Sequence, residues 1–127
     1  MKNDPSIVLT ETDFRKLLAL TRSIDSEMSA LLEEEISRAV VVAPEKFPLD
    51  AVSMNSTVKF VDIDTSKESV VTLVYPHEAD IEQNRISILA PVGIALIGLR
   101  VGQNINWPLP NGKEKKLRIV SVLAQSI

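Results

Sequence analysis

The chain has 127 residues, 45% hydrophobic and 24% charged, with a formal net charge of −3 and no cysteine. That length suits one domain with a single core, and the balance of apolar and charged residues excludes wholesale disorder. Absent cysteine removes disulfides, thiolate nucleophiles and thiolate metal sites together; a net negative chain is also a poor coat for nucleic acid.

Charge and periodicity both change near residue 50. Residues 1–50 carry 6 Lys/Arg and 10 Asp/Glu, net −4, whereas residues 51–127 carry 8 and 7, net +1. Helical spacing governs the chain before residue 43 and alternation governs it after residue 52. No apolar run approaches the ~20 residues of a membrane span, and no targeting pattern is present. A cytoplasmic protein with no membrane partner is expected.

The first helix is predicted to start at Thr10 or Glu11. Thr10 and Asp13 make a capping-box pattern, with Asp in place of Glu or Gln, and Phe14, Leu17, Leu18 and Thr21 share one face. Ser23-Ile24-Asp25-Ser26 supplies a turn and an N-cap. A second helix carries Met28, Leu31, Leu32, Ile36, Ala39 and Val40 on one stripe until Pro44 stops it. So short a link makes the two helices an antiparallel hairpin. Its first helix, about 11 residues at ~1.5 Å each, reaches only ~17 Å. Glu33, Glu34 and Glu35 read as a solvated face. Asp25 and Glu27, near the tip, are either capping acids or carboxylates offered to a partner or metal.

Pro44 and Pro48 stiffen the connection that follows. Strands are predicted over residues 57–61 and 69–75, forming an antiparallel hairpin that Pro76 ends. Residues 85–89 are a short strand, and Pro91 opens a short helix at its first position. Ile94, Ala95, Ile97 and Leu99 face inward, with Gly93 at a close packing point and Gly98 or Gly102 at the exit. Strands over 104–107 and 117–122 flank the turn signal Pro110-Asn111-Gly112. The fold class is therefore α+β. A short helical hairpin, or coiled coil, spans residues 1–43, and a linker spans 44–51. A small antiparallel β domain with one short helix spans 52–127.

Enzyme chemistry is poorly represented. The four glycines match no phosphate-cradling pattern, and no serine elbow is present. His77 is the sole histidine and follows a strand end, where it reads as an exposed loop residue. Glu78 and Asp80 are an incomplete metal set. The basic run Lys113-Glu114-Lys115-Lys116-Leu117-Arg118 lacks interleaved aromatics for base stacking and reads as a solvated, edge-protecting turn. No catalytic residue, cofactor, metal or direct nucleic-acid readout is expected.

Five segments in order carry a resemblance: Val52-Ser53-Met54-Asn55-Ser56-Thr57-Val58, Tyr75-Pro76-His77-Glu78-Ala79-Asp80, Ile86-Ser87-Ile88-Leu89-Ala90-Pro91-Val92-Gly93, Ala95-Leu96-Ile97-Gly98-Leu99-Arg100-Val101-Gly102 and Leu109-Pro110-Asn111-Gly112. Together they resemble the C-terminal domain of the bacterial Gre transcript-cleavage factors, and more closely the Gre-like Rnk regulators of nucleoside diphosphate kinase. The resemblance implies an FKBP-like C-terminal fold that docks on bacterial RNA polymerase near its secondary channel. In Gre factors a long coiled-coil hairpin enters that channel, and acidic tip residues help hold the catalytic magnesium. The hairpin here is too short for that, so a non-enzymatic, non-cleaving relative occupying the docking site is expected. The family name adds an alternative, direct regulation of nucleoside diphosphate kinase and nucleotide pools. Pro91 lies in the segment resembling the polymerase-contact loop, and Asn55, Ser56, Glu78, Asp80 and Ser87 match motif positions. Gln103 stands where Gre factors usually have Asp.

Overall fold

Two short strands bracket the helical hairpin in the computed structural model, which describes residues 7–108 and 112–123. β1 (Val8–Thr10) runs into α1 (Glu11–Ser23), α2 (Glu27–Ser37) returns, and β2 (Val40–Val42) lies parallel to β1. Thr10 caps α1 as expected, its Oγ1 accepting the Asp13 N–H at 3.0 Å. The Asp13 carboxylate instead reaches across the molecule, where Oδ2 accepts the Met54 N–H at 3.2 Å. Ser26 caps α2 through its Oγ, which accepts the Ser29 N–H at 3.1 Å.

The second helix ends at Ser37, with Arg38 as its C-cap, short of the predicted Val40. Val40, Val41 and Val42 are β-branched, stiff at χ1 and suited to a strand. Pairing of Val8 with Val40, Leu9 with Val41 and Thr10 with Val42 draws them out of the helix. Pro44 consequently does not stop α2; it opens a single 3₁₀ turn, Pro44–Lys46. Leu31 also leaves the predicted core stripe and is 38% exposed. It lies ~100° around the helix from Leu32, outside the arc of Ser29, Leu32 and Ile36 that is buried.

The main sheet contains β3 (Thr57–Asp62), β4 (Glu68–Val74), β5 (Arg85–Ser87), β6 (Asn104–Pro108) and β7 (Glu114–Leu123), in the order β5-β4-β3-β7-β6. The predicted β3–β4 hairpin is present, in register from Thr57 opposite Thr72 to Val61 opposite Glu68. β7 pairs antiparallel with β3 and β6. β5, however, is parallel to β4, so the expected antiparallel sheet is antiparallel except at this edge strand. Two 3₁₀ turns, Pro76–Glu78 and Ile81–Gln83, carry the chain back far enough for β5 to run alongside β4. α3 (Pro91–Leu96) follows with Pro91 in its first turn, as predicted. Of the expected β6–β7 turn, Pro110 and Asn111 lie outside the described residues; Gly112 has φ +84°.

One hydrophobic cluster joins the hairpin to the sheet. Leu9, Leu17, Leu32 and Ile36 from the N-terminal elements share it with Leu73, Ile94 and Leu117. Full burial of each such side chain contributes about 2 kcal/mol relative to exposure, so the base of the hairpin is anchored in the same core as the sheet. Gly98 shows how closely the parts meet. Its φ is +79°, a Cβ there would lie 2.6 Å from the Ile7 Cβ, and its carbonyl accepts the Val8 N–H at 3.1 Å. Among the described residues no helix is long and apolar enough to cross a membrane.

Candidate docking surface

Six of the eight sequence-predicted site residues gather around β5 and the adjoining half of β4. The turn from β5 into α3 is built by Ser87, whose Oγ accepts the Leu89 N–H at 2.9 Å and whose carbonyl accepts the Ala90 N–H at 2.9 Å. That turn delivers Pro91, exposed, to the start of α3, where its missing N–H leaves nothing unpaired. Gly93 supports the turn from beneath. A Cβ at this position would meet the Ser87 carbonyl oxygen at 2.3 Å, so only glycine lets α3 press this closely on the end of β5.

The β4–β5 connection supplies Glu78 and Asp80. Glu78 ends the first 3₁₀ turn with its side chain exposed. Asp80 caps the second, Oδ1 accepting the Glu82 N–H at 3.1 Å, while its backbone exchanges two 2.9 Å bonds with Arg85. Between the caps stands Ile81, 85% exposed, which the sequence reading passed over. A single isoleucine among Asp80, Glu82, Gln83 and Asn84 forms no pattern in the sequence.

Asn55 and Ser56 shape the entry to β3. Asn55 adopts the left-handed region at φ 69° and donates its N–H to the Leu73 carbonyl at 2.6 Å. Ser56 is fully buried; its Oγ donates to the Ser53 carbonyl at 2.7 Å and accepts the Ser53 N–H at 3.2 Å. Asp25 and Glu27 sit instead on the hairpin turn, both exposed, beside a shallow depression of about 340 Å³ lined by residues including Thr21, Arg22 and Ser29. Among the described residues no group of three or more His, Cys, Asp or Glu converges to hold a metal ion.

A junction unforeseen in the sequence ties the hairpin to this region. Burial pushes the Asp13 carboxyl above its ordinary range, against the pull of the Met54 N–H and then of Lys16. Tyr75, directly after β4, is pushed up to about 12 by burial, with the Asp13 and Glu78 charges adding to the effect. Its hydroxyl is buried without a hydrogen-bond partner among the described residues. Gln103, the departure from the Gre pattern, completes a turn: Oε1 accepts the Arg100 N–H at 2.7 Å, beside an Arg100–Asp50 ion pair at 3.0 Å.

Residues 47–124 match the family described as "Transcription elongation factor, GreA/GreB, C-term". The chain belongs to the GreA/GreB C-terminal family. It is 36% identical over 121 residues to the regulator of nucleoside diphosphate kinase of Escherichia coli strain K12, covering 93% of this chain and 89% of that one. It is 38% identical over 91 residues to the transcription elongation factor GreA of Thermodesulfovibrio yellowstonii, covering 72% of this chain and 57% of GreA. The solved structure of a GreA/GreB elongation factor from Nitrosomonas europaea superposes with a TM-score of 0.77 at 43% identity, over 94% of this chain and 98% of that one. Residues of both the hairpin and the mostly antiparallel β domain thus fall within the span superposed on that solved structure.

Proposed function

We propose that this protein docks on bacterial RNA polymerase through the β5–α3 turn and occupies the secondary-channel site without stimulating transcript cleavage. The observation that carries this reading is the size of the arm. At about 1.5 Å per residue, the 13 residues of α1 reach about 20 Å and the 11 of α2 about 17 Å. Much of that length is spent against the core through Leu17, Leu32 and Ile36. The tip presents Asp25 and Glu27 on a short, anchored arm, which supports occupancy rather than delivery of carboxylates to a distant catalytic centre.

Docking by surface complementarity fits the β5–α3 turn and the β4–β5 connection. Pro91 and Ile81 are exposed apolar groups, Glu78 adds a carboxylate, and Ser87 and Gly93 hold the turn rigid, so little conformational freedom is lost on binding. Binding of the purified chain to purified polymerase, measured by competition with a Gre factor, tests the reading. Pro91→Arg is expected to weaken binding at least tenfold with the fold intact. Absence of binding, or undiminished binding by the variant, contradicts it.

The name of the Escherichia coli relative favours a second reading, direct regulation of nucleoside diphosphate kinase. A pull-down with purified kinase separates the two, since the polymerase reading requires no kinase contact.

A further inference from the structure

The two helices of the hairpin turn opposite charges to solvent. On α1 the residues facing away from the core include Arg15, Ala19 and Arg22; on α2 they include Glu27, Ala30, Leu31 and Glu34, all of them exposed. Each set follows the spacing of a single helix face. Arg15, Arg22, Glu27 and Glu34 take part in no ion pair among the described residues. The α2 face is also slightly concave, an open groove of about 550 Å³ lined by Glu27, Ala30, Leu31, Glu33, Glu34 and Ser37.

We infer that this face receives α1 of a second copy of the same chain, so that two hairpins pair side by side about a twofold axis along the arm. The register follows from the hairpin itself. Ser29 Oγ donates to the Thr21 carbonyl at 2.9 Å, which sets the levels of the two antiparallel helices. A second hairpin at the same height, to within one residue, brings Arg22 beside Glu27 of the second copy and Arg15 beside Glu34 of the second copy. Ala19 then meets Ala30 and Leu31 of the second copy, small against apolar, so the backbones can approach. The twofold repeats every pair, and both charge stripes are matched in one closed, isologous contact. Exposed ion pairs are individually weak and salt-screened, so the dimer is a low-affinity one that forms at high protein concentration. The inference stands on the surface of the arm and does not depend on what the β5–α3 turn binds.

Sedimentation velocity on the full chain tests it, from about 10 μM to about 1 mM, in about 50 mM and about 500 mM salt, where the screening length differs severalfold. Wild type is expected to show concentration-dependent dimers whose dissociation constant rises at least tenfold in the higher salt. Arg15→Glu with Arg22→Glu, and separately Glu27→Lys with Glu34→Lys, are each expected to remain monomeric, with unchanged far-ultraviolet circular dichroism. Mixing the two charge-reversed proteins is expected to restore a heterodimer, since each then carries the complement of the other. Monomeric wild type at 1 mM in low salt would overturn the inference without any variant. Self-association of either reversed protein at wild-type strength, or a mixture that stays monomeric, would do the same.

Discussion

Asp13 illustrates how one side chain serves two levels of structure. Its N–H helps start α1 and its carboxylate holds the Met54 loop, a contact that leaves the charge partly desolvated. The sequence disclosed the first role through the spacing from Thr10, but not the second, because the partner is a backbone N–H 41 residues away. The desolvated charge has a sign that can be checked. A carboxyl whose folded pKa lies above the ordinary 3.8 adds stability below that value, which is lost as pH rises through the folded pKa. Asp13→Asn retains the acceptor for Met54 and removes the titration. Wild-type stability minus that of the variant, from urea unfolding at pH 3, 5 and 7, is therefore expected to fall with rising pH; a rise would show that the Met54 and Lys16 interactions outweigh burial. Gly93 is the other residue on which the docking surface turns. Gly93→Ala forces its methyl group onto the Ser87 carbonyl and is expected to cost about 1–3 kcal/mol in urea unfolding, in the range of core overpacking. It should also weaken docking by displacing the Ser87–Pro91 turn. Wild-type stability in this variant would mean that α3 yields more easily than the close contact implies.

Among the elements, those with local signals were legible in the sequence. Both hairpin helices, the β3–β4 hairpin and α3 follow from caps, periodicity and Pro91. The three-residue strands β1 and β2 were not, because three residues show no period and their pairing joins segments separated by the whole hairpin. The same long-range pairing shortened α2, overriding a stripe that Ala39 and Val40 continued in sequence. The parallel β5 was hidden for a related reason: its direction is set by two 3₁₀ turns that alternation does not reveal. Of the candidate site, Pro91 and its turn were visible through the Gre-like motif, while Ile81 was not, since a lone apolar residue gives no pattern. At the hairpin turn Ser26 is the cap that starts α2. Ser26→Ala is expected to lower stability by about 1 kcal/mol, read as a shift in the urea midpoint at constant slope. No shift would mean that tertiary packing alone fixes the turn.

At the scale of the whole molecule, the arm and the β domain act as one piece. Parallel β1–β2 pairing, the Asp13–Met54 contact and a shared hydrophobic cluster all anchor the hairpin base, and the projecting remainder is only a few helical turns. Under the proposed function, such an arm occupies a site without doing the chemistry of a longer one. The most direct measurement adds the purified chain to backtracked transcription complexes, alone and together with a cleaving Gre factor, and follows release of short RNA. No release by the chain alone is expected, together with a dose-dependent loss of Gre-stimulated release that Pro91→Arg relieves. Release of dinucleotides by the chain alone, or undiminished Gre activity at saturating chain, would contradict the proposed function.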